Sequence, residues 1–132
     1  MNNTEPMSQE LPPVRNITFA EAFRLFFTQY ATYAGRATRT EYWCIFLFNL
    51  LVYGSCALLK NLAPSLGAWL NLLYGCAVFV PSTALFTRRM HDIGKCGWAF
   101  LWVLVPIVGA FVLLVFVCRD SQGDNQYGPR KI

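Results

Sequence analysis

A chain of 132 residues that is 55% hydrophobic, 16% aromatic and only 14% charged falls far below the charged quarter of a soluble domain, which excludes a sizeable soluble domain beside its apolar runs. Its formal net charge of +4 comes from Arg and Lys placed singly or in pairs beside those runs, whereas nucleic acid would call for a dense basic face, so no nucleic-acid partner is expected. Five cysteines without a CxxC pair, and a single histidine, exclude a recognisable zinc or thioredoxin-like site, and no cofactor is expected.

Residues 1–16 combine Pro6, Pro12 and Pro13 with small polar side chains, which predicts a disordered tail. No basic segment there leads into an apolar stretch, so a cleaved signal peptide is not expected and the first apolar run directs its own insertion. Thr18 with Glu21 reads as a capping box. Phe19, Ala22, Phe23, Phe26, Phe27, Tyr30 and Tyr33 then recur at spacings of three and four, which predicts an amphipathic helix over 17–34. Arg24, Thr28 and Gln29 fall on other faces and make the segment too polar to cross a bilayer. It lies in the headgroup layer with its aromatics inward, or packs on the protein's own spans, and the two placements are compatible.

Gly35 breaks that helix, and Thr38 with Glu41 repeats the capping pattern ahead of an apolar run at 42–59. Tyr42 and Trp43 suit the aromatic belt, with Arg36 and Arg39 just outside it. Asn61, Pro64, Ser65 and Gly67 predict a short turn. A second run, 66–86, carries Trp69 near one end and Pro81 near the other, where the missing backbone donor should kink the helix. At about 1.5 Å of rise per residue, runs of this length match the roughly 30 Å hydrocarbon layer.

The third run, 98–117, is interrupted by Pro106-Ile107-Val108-Gly109, leaving arms of about 8 residues, each about 12 Å long at helical rise. A kinked single span is expected, with the polar tail 118–132 outside. The alternative is a re-entrant hairpin that returns Arg119, Arg130 and Lys131 to the side of Arg88, at the cost of backbone groups at its turn that protein or water must satisfy. The expected fold class is thus an all-α integral membrane protein, an amphipathic interfacial helix followed by three apolar helices, in one small membrane domain over 17–132. Lys60 stands alone between the first two runs while basic residues flank their other ends, so the amino terminus and the 88–95 loop are expected in the cytoplasm.

Arg88, Arg89, His91, Asp92 and Lys95 form a dense ionisable group. Continuing the second helix through them pairs Thr87 with His91 and Arg88 with Asp92 at i,i+4. One reading is a positive-inside anchor with a local ion pair, ended by Gly94 as a C-cap. The other is a basic pocket for an anionic lipid headgroup or a partner's acidic segment. Catalysis is not expected: Ser82 and His91 stand about 13 Å apart along a helix, no GxSxG surrounds a serine, and one His with one Asp makes too few zinc ligands. The tail 120–125 lacks the spacing of an EF-hand and reads as turns.

Four segments follow one another in order: Gly35-Arg36-Ala37-Thr38-Arg39-Thr40-Glu41-Tyr42-Trp43; Arg88-Arg89-Met90-His91-Asp92-Ile93-Gly94-Lys95-Cys96-Gly97-Trp98; Pro106-Ile107-Val108-Gly109; and Gly123-Asp124-Asn125-Gln126-Tyr127-Gly128-Pro129. Together they resemble the hallmarks of a bacterial family of small inner-membrane proteins labelled domain of unknown function 805. Its pattern runs roughly GRxxRxEYW, RRxHDxxxxGWW, a PxxG within the last apolar run, and a GxNxYGP tail. The resemblance covers nearly everything from Phe19 onward, with Ala99 where a second Trp is common and Gln126 where Arg is common. It implies a multi-pass protein of the bacterial inner membrane and no particular activity.

Most of the shared motif residues are boundary devices, yet any Lys or Arg would anchor a helix, so the His-Asp pair and Glu41 are polarity in excess of anchoring. Arg36, Arg39, Glu41, Arg88, Arg89, His91, Asp92 and Lys95 are therefore the candidate lipid- or partner-binding residues, meeting across two helix ends as an internal clasp or as a binding site. The expected function is a non-enzymatic membrane component that binds anionic lipid or a protein partner. An oligomeric transporter or channel subunit is the alternative, suggested by Pro81 and the Pro106/Gly109 break. A lipid-headgroup enzyme is disfavoured by the missing nucleophile and metal motifs.

Overall fold

Residues 17–130 are described by a computed structural model of the chain, so the tail expected over 1–16 and the last two residues of the polar tail lie outside the described residues. Helix α1 spans Phe19–Thr28. Its capping box forms as the sequence predicts: the Glu21 amide donates to Thr18 Oγ1 at 3.3 Å, and the Thr18 amide donates to a Glu21 carboxylate oxygen at 3.0 Å. The helix is shorter than the 17–34 of the aromatic stripe, because Gln29 and Tyr30 leave it to reach another helix. The Gln29 amide oxygen accepts from Arg88, and the Tyr30 hydroxyl donates to the carbonyl of Ala77.

That last bond follows from a proline. In an α-helix the Ala77 carbonyl would accept from the amide of residue 81, and Pro81 has none. Tyr30 supplies the missing donor from outside. Tyr30→Phe should therefore leave the carbonyl bare beside apolar neighbours and lower stability by about 1–2 kcal/mol, read as a lowered Tm in detergent micelles; an unchanged Tm would mean the carbonyl is served otherwise.

Helix α2, Arg39–Leu62, and helix α3, Pro64–Asp92, extend beyond the apolar runs at both ends. Thr38 caps α2 through the Glu41 amide at 3.2 Å, while the Glu41 side chain turns to Arg88. The turn expected around Asn61 to Gly67 shrinks to Ala63 alone, with Pro64 at the first position of α3, where its missing donor costs nothing. Gly67 permits this tightness, since a Cβ there would lie 2.7 Å from the Lys60 backbone nitrogen. The two helices run antiparallel, with Tyr74 donating to Asn49 at 2.7 Å midway and Arg88 reaching Glu41 at the far end. Helix α3 passes through Pro81 as one element.

Both helices are long and apolar enough to cross a membrane. Leu51, Leu58, Trp69 and Leu73 face outward and are largely exposed, while the fully buried side chains include Arg88, Arg89, Glu41 and Asp92. A protein with its charges inside and its leucines outside is built for a hydrocarbon solvent. On α1, Ala22 and Phe26 are buried in one apolar group with Ile45, Val78 and Leu85, so one face packs on the protein's own helices, while Phe19 and Phe27 remain about half exposed.

The expected kinked single span over 98–117 is corrected. Its first arm is a 3-10 helix, Gly97–Leu104; the chain then turns, and α4, Val108–Cys118, comes back. Both ends of the run meet the same end of α3: a Cβ on Gly97 would lie 2.6 Å from Thr87, and the Val117 carbonyl accepts from Arg89 at 3.2 Å. The turn has local causes. Pro106 offers no donor, Ile107 sits at φ 64 with the Val108 amide bonded back to the Pro106 carbonyl at 2.7 Å, and Gly109 brings the α4 backbone against the Trp102 carbonyl. Ile107 thus occupies a strained three-residue turn. The hairpin, not the single span, is the arrangement found.

Candidate functional site

The candidate residues gather where α2 begins, α3 and α4 end, and the polar tail folds back. Asp92 is at the centre. One of its carboxylate oxygens accepts from Arg36 at 2.9 Å; the other accepts from Arg89 and from the Ser121 hydroxyl. Arg36 spends its remaining donors on backbone carbonyls, those of Asp92 at 3.0 Å, Gln122 at 2.6 Å, Gly123 at 2.8 Å and Gly128 at 3.2 Å. One guanidinium thereby ties the tail to the end of α3.

Arg89 does the same for α4. The last carbonyls of a helix have no partner within it, and Arg89 takes that of Val117 at 3.2 Å and also that of Arg119, while reaching the Ala37 carbonyl at 3.4 Å. A planar fork with five donors suits this work, which a lysine cannot copy. Arg88 lies on the neighbouring face of α3, paired with Glu41 at 3.1 Å. Among the described residues, its Nε and Nη2 meet no acceptor.

The i,i+4 partnership expected between Arg88 and Asp92 does not form. Asp92 pairs with Arg89 at i,i+3 and with Arg36 from the preceding loop, and Arg88 turns to Glu41. His91, expected opposite Thr87, instead has Nδ1 at 3.2 Å from the Gly35 carbonyl and its ring stacked on Tyr127 at 3.9 Å with 6° between planes. Gly94 follows α3 at φ 70, the left-handed conformation expected of its cap position, with the Lys95 amide bonded to the Met90 carbonyl at 2.9 Å.

Burial divides the candidate set. Arg36, Glu41, Arg88, Arg89 and Asp92 are buried, Arg36 being the most exposed at 6%. Arg39 and Lys95 stand outside. Arg39 pairs with Asp120 at 2.9 Å and donates to the Cys118 carbonyl at 3.1 Å, and Lys95 Nζ sits 5.9 Å from the centre of the Phe116 ring. The buried guanidinium groups of Arg36 and Arg89 are satisfied by Asp92 and the surrounding carbonyls, the condition under which buried charge is tolerated, while Arg88 is held by Glu41 and Gln29 through Nη1.

Several participants were not among the sequence candidates: Gln29, Ser121, Gln122, Asn125 and Tyr127. The Gln122 amide donates to the Asp92 carbonyl at 3.1 Å, the Asn125 side chain to the His91 carbonyl at 2.9 Å, and the Tyr127 amide to Asn125 Oδ1 at 3.0 Å. The signal for the last two was the GxNxYGP pattern, which carries Asn125 and Tyr127 at the spacing of one tight turn.

Comparison with known proteins bears on this arrangement. Residues 30–129 match the family described as Protein of unknown function (DUF805). Inner membrane protein YhaI of Escherichia coli strain K12 is 40% identical over 101 residues, covering 75% of this chain and 85% of that protein. Inner membrane protein YhaH of the same strain is 34% identical over 105 residues, 76% of this chain and 87% of that protein. No solved structure matches the chain. The matched region takes in the buried cluster from the Gly35-Arg36 loop to the Tyr127 turn, together with both long apolar helices, and the chain belongs to this DUF805 family of helical membrane proteins.

Proposed function

We propose that this protein is a non-enzymatic inner-membrane component that holds anionic phospholipid at its cytoplasmic face, with the buried cluster serving as an internal clasp and the exposed cations as the lipid contact. The carrying observation is that Arg39, Lys95 and Arg119 converge on the last turn of α4: Arg39 on the Cys118 carbonyl, Lys95 over Phe116, and Arg119 as the next residue, all exposed. Asp120 offsets one of these charges, leaving an excess of positive charge at the rim.

The rest of the end is suited to a headgroup layer. Trp43 lies one turn below Arg39 on α2, and with Phe46 it lines an apolar groove of about 570 Å³ between α2, α3 and the hairpin. An acyl chain in that groove would place its phosphate near Arg39. Phe19, Phe23 and Phe27 form a contiguous aromatic row on α1, which supports its lying in the same layer. Lys60 alone marks the opposite end of the α2–α3 hairpin, so the positive-inside bias favours a cytoplasmic clasp with both chain ends on that side.

The test replaces all three cations together (Arg39→Gln, Lys95→Gln, Arg119→Gln) and measures retention of phosphatidylglycerol against phosphatidylcholine during purification from mixed vesicles. A surface Lys or Arg near anionic lipid contributes about 1 kcal/mol, so losing three of them and leaving Asp120 uncompensated should lower the preference by about a hundredfold. Equal preference in the variant and the parent, at equal Tm, would remove the reading.

A further inference from the structure

A second cavity lies on another face of the buried cluster, and among the described residues no Lys or Arg lines it. Its volume is about 460 Å³, and it opens between α3, the loop after α1 and the 3-10 arm. We infer that it binds a membrane amphiphile with an uncharged, hydroxyl-bearing head on a single apolar chain, such as a monoacylglycerol. The anionic-lipid reading rests on the exposed cations, which take no part here, although the two cavities share Thr83, Phe86 and Phe100 in their walls.

The polar end of the cavity is made by Tyr33, Thr83, Thr87 and His91, and among the described residues no Lys, Arg, Asp or Glu lines it. A charged headgroup would be desolvated there without a counter-ion, so the head is neutral. The hydrogen bonds decide its polarity. A carbonyl only accepts, so the contact between His91 Nδ1 and the Gly35 carbonyl places the proton on Nδ1. In the neutral ring Nε2 is then an acceptor, and the stacked Tyr127 holds the ring in its plane.

Thr83 adds a second acceptor by relay. Its hydroxyl donates to the Val80 carbonyl at 2.8 Å within α3, so across the 3.1 Å contact Tyr33 is the donor and Thr83 the acceptor. The lone pairs of the Tyr33 oxygen stay open to a ligand donor. Uncharged groups that accept, with the Thr87 hydroxyl able to donate as well, suit a hydroxyl, which does both, over a phosphate or an ammonium ion. Opposite them the wall is Phe86, Phe100, Leu101 and Trp98, of which Trp98 is 75% exposed. The cavity therefore runs from an uncharged polar end out to an apolar wall of Phe86, Trp98, Phe100 and Leu101, the order of a single-chain lipid alcohol from head to tail.

The experiment uses the full chain in phosphatidylcholine vesicles and a monoacylglycerol carrying a photoactivated diazirine on its acyl chain, with labelled peptides identified by mass spectrometry. Label is expected on the peptides covering residues 83–101. It should be displaced by plain monoacylglycerol and not by lysophosphatidylglycerol at the same concentration. Leu101→Trp, on the exposed arm and outside the clasp, fills the cavity and should cut labelling about tenfold. His91→Phe keeps the stack on Tyr127 while removing the acceptor and should cut it about fivefold, the worth of one hydrogen bond. Labelling that survives Leu101→Trp overturns the inference whatever His91→Phe does. Equal displacement by the anionic competitor overturns it as well.

Discussion

Asp92→Ala should be the most damaging conservative-sized change in the chain. Arg36 and Arg89 share this carboxylate, and both are almost wholly buried. Removing a buried ion-pair partner leaves an uncompensated charge and costs about 3–5 kcal/mol; here two cations lose their counter-ion at once. Because Arg36 also holds the Gln122, Gly123 and Gly128 carbonyls, the tail should come loose with it. The expected readings are a large fall in Tm in micelles and rapid tryptic cleavage after Arg119. Arg89→Lys should move the same way by a smaller amount, since one ammonium cannot span Asp92 and the Val117, Arg119 and Ala37 carbonyls. A topology anchor would leave both variants at parental stability, and so would a binding site that folds without its ligand. Parental Tm and an intact tail in Asp92→Ala would therefore sink the clasp.

Gly109→Ala carries the second large effect. A Cβ at this position would stand 1.7 Å from the Trp102 carbonyl oxygen, a backbone atom that cannot swing aside. Overpacking at a rigid contact costs about 3 kcal/mol at the upper end of its usual range, enough to force the two arms of the hairpin apart. Gly54→Ala is the matched control, because among the described residues nothing lies within 4 Å of its added methyl, and alanine in a helix interior is favourable by nearly 1 kcal/mol. A lowered Tm and a protease-sensitive tail in Gly109→Ala beside a neutral or stabilised Gly54→Ala is the expected outcome. A neutral Gly109→Ala would show that the third run does not fold back on Trp102.

Some of this was legible in the residues because it depends on short-range periodicity. The apolar runs, the Thr18 and Thr38 caps, the positive φ at Gly94 and the grouping of Arg36, Glu41, Arg88 and Asp92 at one end follow from spacing along a helix. Partner choice within that group was not legible. Helical spacing offers Arg88 to Asp92, but it is blind to a loop arriving from residue 36 or a tail arriving from residue 121, and those long-range donors and acceptors outcompete the local pair. Helix α1 ends before its aromatic stripe does for a related reason: the stripe continues through Tyr30, whose hydroxyl donates to the carbonyl that Pro81 leaves open.

The sequence by itself determined that this is a helical membrane protein with apolar runs bounded by charge, Lys60 apart at the far end, because hydropathy and helical period are local properties that the bilayer reads directly. Only the tertiary structure decided that the third run turns back, that Asp92 serves Arg36 and Arg89, and that Arg39 and Lys95 remain outside. Those outcomes depend on which buried polar groups find partners across the fold, and in a low-dielectric interior each group left without one is costly enough to overrule the local pattern.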